Sequence, residues 1–360
     1  MSLAKQVIPL HGPLRIVAIG GGTGLSSLLR GLKEYVPPTS AFGESTPARL
    51  PHIEITAVVT VTDDGGSSGR LRREMDILPP GDIRNCMVAL SEDEALLSKL
   101  FQYRFEEGRG LKGHSFGNLF LTAMTHLTGD FGKAVKLSSE VLASRGRIYP
   151  STASNVTLEA VLDDGTEVSG ETKISRSRTR IKAITLRPKR CKPLAETLLA
   201  LEQADLICLG PGSLYTSVIP NLLVEGIPAA IRNARARKCY FVNLMWQPGE
   251  TMSFSASDHV RELFRFAYPG LVDTVIINTR PIIGSRRRRY AAQKVFPVQN
   301  DYPHLAELNV RVVGRHLLAR GEQIRHSPQA IAAAAVELAQ ESRASRLGMR
   351  GTVIAATGGY

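Results

Sequence analysis

The stretch Arg15–Gly24, RIVAIGGGTG, constrains the fold of this chain more than any other, because an apolar run ends abruptly in a glycine-rich turn. The residues that follow, LSSLLRGLKEYV, carry leucines at positions 25, 28, 29 and 32, which is helical spacing. A buried strand that passes through glycines into an amphipathic helix is the first half of a βαβ unit. We therefore predict an α/β fold with a Rossmann-like, mostly parallel sheet flanked by helices.

The rest of the chain repeats this rhythm, with one interruption. IEITAVVTV indicates a second strand, and ADLICLGPGSLYTS repeats the strand, glycine loop and helix pattern. From Ile148 onward, NVTLEAVLDDGTEVSGETKI alternates apolar and polar residues around Asp164–Gly165, which predicts a β-hairpin. We predict that residues 1–147 and 191–345 form two parts of one α/β nucleotide-binding domain. Residues 148–190 then form a small β-rich insertion, and residues 346–360 a loose tail.

Composition places the chain among globular proteins. Of its 360 residues, 43% are hydrophobic and 22% are charged, which is ordinary for that class. The sequence shows no apolar run near the roughly 20 residues that span a bilayer, and its first residues are too interrupted for a secretory signal. The four cysteines are widely spaced, which argues against a disulfide framework or a zinc site. We expect a cytoplasmic protein.

The basic balance of the chain raises the question of an anionic partner. The formal net charge is +12, and much of it lies in KISRSRTRIK, RPKRCK, RARK and SRRRR. Such a charge favours polyanions, but the sequence has no helix-turn-helix, zinc-finger or RNP-type motif, and only 6% of its residues are aromatic. We do not expect nucleic acid binding. The remaining interpretations are a solvated basic face or counter-charge around a phosphate ligand.

Both glycine loops are candidate phosphate sites. Glycine allows the backbone to approach a ligand, and a helix N-terminus offers free N–H groups and partial positive charge. The first loop lacks the lysine of a P-loop and departs from the dinucleotide fingerprint at Leu25. A tight turn without a ligand is the alternative interpretation. The predicted contacts to nucleotide or phosphate are Gly21, Gly22, Thr23, Gly24, Gly210, Pro211, Gly212, Ser213, Tyr215 and Thr216.

A third loop, TVTDDGGSSGRLR, follows the second strand and should open at the same edge of the sheet. Asp63 and Asp64 are candidate catalytic residues and candidate magnesium ligands, since one carboxylate with phosphate oxygens and waters is the usual shell of that ion. A ribose contact is an alternative, as is a simple Asp-Gly turn. Neighbouring residues of extended chain point to opposite sides, so we expect one aspartate to face the ligand and the other to brace the loop. Further predicted contacts are Gly66, Ser67 and Ser68.

Three more segments offer polar groups. In GDIRNCMVAL, Asp82 is either an N-cap or a catalytic acid. In GHSFGNLFL, Asn118 is a predicted ligand contact and His114 is either structural or an acid/base. In NLMWQPGET, the amides of Asn243 and Gln247 suit hydroxyl and base-edge recognition, or simply bond the backbone.

Six blocks in this order resemble the gluconeogenesis factors, bacterial relatives of 2-phospho-L-lactate transferase. The blocks are GGGTGLSSLLRGLK, TDDGGSSGRLR, GDIRNCMVAL, GHSFGNLFL, GPGSLYTSVIPNLL and QPGET…SASDHV, and the match runs from about Arg15 to about Val313. For the factor branch, the resemblance implies UDP-sugar binding and a role in cell shape and wall homeostasis on gluconeogenic carbon sources. For the transferase branch, it implies magnesium-dependent transfer of a phospholactyl group from a guanosine diphosphate carrier. The DDGGSSGRLR run favours the factor branch. Trp246, by contrast, differs from the residue that is usual at this position in the factor branch.

Three functional hypotheses therefore stay open. The first is a regulatory protein that binds a nucleoside diphosphate or nucleotide sugar. The second is a transferase, and the third, by fold analogy alone, is an NAD-dependent enzyme. We expect magnesium as the only cofactor, no redox cofactor and a homo-oligomer.

Overall fold

The computed structural model describes residues 12–37, 51–92 and 94–348, and a seven-stranded parallel sheet organises them. The strands of the chain are β1 Leu14–Gly20, β2 Ile53–Val59, β3 Arg147–Pro150, β4 Thr157–Leu162, β5 Glu167–Ser169, β6 Ile181–Arg187, β7 Leu206–Leu209, β8 Arg237–Phe241, β9 Thr274–Asn278 and β10 Arg311–Arg315. The parallel sheet has the order β10-β9-β8-β7-β1-β2-β3. Because strand order reverses at β1, the topological switch point lies between β1 and β7. The predicted α/β, Rossmann-like sheet is confirmed.

Helices cover both faces of this sheet, which explains why inner strands such as β1 and β7 are buried along nearly their whole length rather than alternating. The helices are α1 Gly22–Lys33, α2 Gly66–Met75, α3 Gly81–Leu90, α4 Glu94–Gln102, α5 Phe116–Thr128, α6 Phe131–Val141, α7 Glu171–Arg176, α8 Ala195–Gln203, α9 Ile219–Leu222, α10 Ile227–Asn233, α11 Ala256–Phe266, α12 Gly284–Ala292, α13 Tyr302–Glu307 and α14 Pro328–Arg346. A π-helix, Leu214–Val218, precedes α9. The leucines of α1 predicted from their spacing are all buried against the sheet.

The small antiparallel sheet β5-β4-β6 is the predicted β-rich insertion. Its β4–β5 hairpin turns at Asp164–Gly165, and the positive φ of Gly165 suits that tight turn. The predicted segment 148–190 begins too early for this sheet, because β3 pairs with β2 in the parallel sheet and Ile148 is buried there. The alternating burial that marks the insertion starts only at Thr157.

Helix α14 ends at Arg346. Residues 349–360 of the predicted loose tail lie outside the described residues. All four cysteines are buried and free. In the described part of the chain, no single helix is long and apolar enough to span a membrane. Two consecutive helical segments, Leu214–Leu222 and Ile227–Asn233, reach the length and apolar composition of a span only when they are counted together, and they are bent by 75° relative to each other.

Gly31 sets the close approach of α1 to α14, and its replacement tests that packing. A Cβ at this position would overlap the carbonyl group of Pro328 and lie 2.8 Å from the Cβ of Ala332. We expect Gly31→Ala to lower the free energy of unfolding by about 1–3 kcal/mol, because backbone cannot yield as a side chain does. Urea unfolding measures the change.

Gly132→Ala is the matched control, since Gly132 is also helical but its nearest neighbours are side-chain atoms at 3.1 and 3.3 Å. This variant should be neutral or more stable by about 0.5–1 kcal/mol. Equal effects of the two substitutions would contradict the packing account.

Candidate functional site

The two glycine loops meet at the carboxyl ends of β1 and β7, on either side of the switch point. A Cβ at Gly24 would overlap the Pro211 carbonyl and lie 2.8 Å from the Cα of Gly212. A Cβ at Gly212 would in turn lie 3.5 Å from the carbonyl oxygen of Gly21. Gly24 is therefore required for the packing of one loop against the other, independently of any ligand, whereas the distance at Gly212 is ordinary van der Waals contact.

Asp82 reaches into the first loop. The backbone N–H of Gly22 donates to its carboxylate, and a Cβ at Gly21 would lie 2.6 Å from Asp82 Oδ2. The predicted N-cap role of Asp82 is wrong: α3 is capped at Pro80, and Asp82 lies in the first turn of the helix with its side chain directed to the neighbouring loop. One of the α1 amides predicted to hold a phosphate thus already bonds to a carboxylate of the protein.

The structure separates the two aspartates of the third loop. Asp64 Oδ1 accepts hydrogen bonds from the backbone N–H of Thr172, at 2.8 Å, and from its hydroxyl, at 2.6 Å. Asp64 thereby braces the start of α7 in the insertion. Asp63 Oδ1 accepts from the Gly65 N–H at 2.9 Å, and Asp63 Oδ2 lies beside Gly81 at the start of α3. Of the pair, Asp63 is the one whose charge acts on Asp82.

Carboxyl groups gather on the insertion side of the crevice. Burial, and then the charge of Asp63, raise the pKa of Asp82 to about 7. Burial first, and then the charges of Asp82, Asp63 and Glu250, raise the pKa of Glu171 well above its usual range. Burial also raises the pKa of Glu250, which accepts from the Thr216 hydroxyl at 2.9 Å. Glu171 was not predicted, because no sequence signal places α7 beside the glycine loops.

The serines of the third loop bond to the start of α5. Ser67 Oγ lies 2.9 Å from His114 Nδ1, and the amide of Asn118 donates to Ser68 Oγ at 3.3 Å. All four side chains are buried. The predicted contacts Ser67, Ser68 and Asn118 thus come together as one internally bonded wall, while Gly66 remains exposed at its edge.

The second glycine loop is tied to the amides that follow β8. The Gln247 amide donates to Ser213 Oγ at 2.8 Å and accepts from Asn243 at 3.0 Å. Tyr215 and Thr216, by contrast, are buried and bonded to protein carboxylates; the Tyr215 hydroxyl donates to Glu262 at 2.8 Å. The structure therefore brings Ser213, Asn243 and Gln247 together at the loop and directs Tyr215 into the core.

Two cavities open beside the crevice, and sequence reasoning predicted neither. The larger, about 430 Å³, lies between α1 and α3 and begins at Thr23; we call it the arginine pocket. It is lined by Thr23, Ser26, Ser27, Arg30, Arg84, Asn85, Val88, Gln102, Arg104 and Arg325. The smaller, about 190 Å³, lies beyond β8 and β9 and includes three asparagine side chains, Asn243, Asn278 and Asn300. We call it the amide pocket. Of the pocket arginines, Arg30 and Arg84 lie in the blocks GGGTGLSSLLRGLK and GDIRNCMVAL, whereas Arg104 and Arg325 lie in none of the six blocks.

The donor set fits magnesium only in part. Among the described residues, no group of three or more His, Cys, Asp or Glu side chains could hold a metal ion. The backbone N–H and the hydroxyl of Thr172 both donate to Asp64 Oδ1, so the Asp64 side chain is occupied in holding α7. Asp63 could supply the one carboxylate that magnesium uses when phosphate oxygens and waters complete its shell. The magnesium assignment therefore stays a prediction, with Asp63 as the residue that would hold the ion.

Several known proteins are similar to this chain over most of its length. The family model described as 2-phospho-L-lactate transferase CofD matches residues 16–318. The gluconeogenesis factor of Halalkalibacterium halodurans is 46% identical over 323 residues, which are 89% of this chain and 95% of that protein. The gluconeogenesis factor of Bacillus subtilis is 44% identical over 328 residues, 91% of this chain and 98% of that protein. An X-ray structure of a protein from Bacillus halodurans matches with a TM-score of 0.83 at 45% identity, covering 91% of this chain and 100% of that one.

The bracing role of Asp64 can be measured with a double-mutant cycle. We expect Asp64→Ala to lower the free energy of unfolding by about 1–3 kcal/mol, because the Thr172 N–H and hydroxyl lose their charged acceptor. Thr172→Val combined with Asp64→Ala should show a coupling energy of about 1 kcal/mol or more in urea unfolding. Asp63→Ala combined with Thr172→Val is the control pair and should be additive; coupling there instead would reverse the assignment.

The raised pKa of Asp82 has a consequence for stability. A carboxyl group whose pKa is higher in the folded than in the unfolded protein holds its proton more tightly when folded. Its contribution to stability therefore falls as the pH rises from about 4 to about 7. We expect Asp82→Asn to flatten the decline in unfolding free energy between pH 5 and pH 8, and to stabilise the protein at pH 8 by on the order of a few kcal/mol. The exposed Asp163→Asn is the control, and identical pH profiles for all three proteins would exclude this role.

Proposed function

Since this chain belongs to the gluconeogenesis factor family, which is related to 2-phospho-L-lactate transferase, we propose that it is a regulatory protein that binds a nucleoside diphosphate sugar in the crevice at the switch point. We propose a UDP-sugar as the ligand and a cytoplasmic role in cell shape and wall homeostasis during growth on gluconeogenic carbon sources. The family resemblance supports these finer points.

The observation that carries the binding proposal is the position of the two cavities. The arginine pocket begins at Thr23, in the first turn of α1, and the amide pocket lies at the carboxyl ends of β8 and β9. Strands lie about 4.8 Å apart, so β8 is roughly 10 Å from β1 along this edge. A nucleotide sugar can span that distance with its base among amides and its phosphates near Thr23.

A transferase related to 2-phospho-L-lactate transferase is the second candidate, and the carboxyl group at Asp82 favours it. A side chain with a pKa of about 7 beside the first glycine loop is suited to accept or return a proton at neutral pH. Asp63, which neighbours it, would be the residue to hold magnesium. In a transferase, Asp82 and Asp63 would act on the ligand. In a regulatory protein, they would only shape the crevice.

Calorimetric titration with UDP-N-acetylglucosamine, GDP and NAD, each with and without magnesium, tests the proposal. We expect binding of the UDP-sugar without turnover. Thr23→Val should weaken it about three- to tenfold, because the exposed hydroxyl at the pocket entrance is lost while the shape is kept. Thr166→Val, in the turn of the insertion, is the matched control and should bind as the natural protein does.

The other outcomes separate the alternatives. Formation of product from a GDP-linked substrate would establish the transferase and reject a purely regulatory role. Binding of NAD with the UDP-sugar inert would reject both candidates.

A further inference from the structure

Helix α12 lies on the outside of the protein, in a stretch of the chain without negative charge. The 27 residues between Asp273 and Asp301 contain six lysine or arginine residues and no aspartate or glutamate. The structure describes every residue of α12, and none of them is buried. The helix is nevertheless held in place. Tyr290 packs against a small apolar cluster separate from the main core, and its hydroxyl accepts from the Ile324 N–H at 3.4 Å.

The four consecutive arginines of α12 divide between two sides of the helix. Arg286 and Arg289 donate to carbonyl groups of the neighbouring turn at residues 319–322. Because each residue turns an α-helix by about 100°, Arg288 lies opposite Arg286 and points away from that turn, with Arg287 between them. Both Arg287 and Arg288 are exposed, and in the described part of the chain neither lies within ion-pair distance of a carboxylate. The outer side of α12 thus carries two positive charges that no carboxylate offsets.

An exposed apolar side chain adjoins these charges. Ile283 occupies the N-cap position of α12 and is 66% exposed, and Arg287 follows it by one helical turn on the same side. Phe296, shortly after the helix, is 39% exposed as well. Apolar side chains beside lysines and arginines are typical of segments that lie on an anionic bilayer. There the cations pair with head groups and the apolar side chains enter the boundary of the acyl chains.

We propose that the outer side of α12, together with Ile283, docks the protein on an anionic lipid surface. This inference goes beyond the proposed function and does not depend on it. Lipid phosphates would pair with the guanidinium groups of Arg287 and Arg288. A nucleic acid backbone offers the same phosphates but no apolar layer for Ile283, which is why a lipid surface is the better partner. The residues just before Ile283 line the amide pocket, so a docked protein would hold its ligand crevice close to the membrane.

Sedimentation of the full chain with vesicles tests this proposal. We expect binding to vesicles that contain phosphatidylglycerol, little binding to pure phosphatidylcholine, and loss of most binding at a salt concentration on the order of 0.5 M. The double variant Arg287→Gln/Arg288→Gln should lower the partition coefficient about tenfold or more, because each arginine near an anionic surface contributes separately. Ile283→Asn should lower it about threefold or more. All three side chains are exposed, so the unfolding midpoint should not change.

The double variant Lys189→Gln/Arg190→Gln is the matched control, because it removes the same charge from two exposed neighbours after β6. It should bind vesicles as the natural protein does. Equal losses in the two double variants would mean that net charge alone attracts the protein, which would overturn the proposal. Failure of the natural protein to bind anionic vesicles would also overturn it. Binding of duplex DNA or RNA through Arg287 and Arg288 without binding of vesicles would assign the surface to nucleic acid instead. Titration with the UDP-sugar uses no vesicles, so the proposed function stands or falls separately.

Discussion

The contact between the two glycine loops determines the geometry of everything around the crevice. Gly24 lies against the carbonyl of Pro211, at a distance that leaves no room for a side chain. This contact joins the first turn of α1 to the end of β7 across the switch point, where open α/β sheets bind ligands. The arginine pocket on one side and the Ser213–Gln247 bond on the other both depend on it. Backbone packing therefore creates the site before any ligand contributes.

The charges around this contact are divided between two sides. Carboxyl groups lie toward the insertion, where burial and the charge of neighbouring carboxylates raise the pKa values of Asp82 and Glu171, and burial raises the pKa of Glu250. Arginines lie between α1 and α3. A phosphate ligand would be attracted by the arginines, so the charge of the protein gives the crevice a direction. The bond of Asp64 to Thr172 fixes the insertion, and with it Glu171, in this arrangement.

The sequence predicted those features of the fold and the site that depend on the pattern of residues within a short stretch. The strand, glycine loop and helix at Arg15–Gly24, and the hairpin at Asp164–Gly165, follow from periodicity and turn chemistry over short stretches. The expectation that Asp63 and Asp64 point to different surroundings follows from the alternation of extended chain. The contacts of Asp82 and Glu171 could not be predicted, because each joins segments distant in sequence and neither lies in a pattern with its partner. The start of the insertion after β3 could not be predicted either, because the residues of β3 do not themselves reveal that this strand pairs with β2.

Isolated arginines, rather than the basic runs of the sequence, line the arginine pocket. The runs KISRSRTRIK and SRRRR are the densest in positive charge, yet the arginines that line the pocket belong to none of the basic runs. In α12, Arg286 and Arg289 instead donate to the 319–322 turn, at the carbonyl groups of Ala319 and Glu322. Arg30, Arg84, Arg104 and Arg325 come from four separate segments and converge only in the folded chain. Neighbouring arginines of one run leave a helix in different directions, whereas arginines from separate rigid elements can surround one site from several sides.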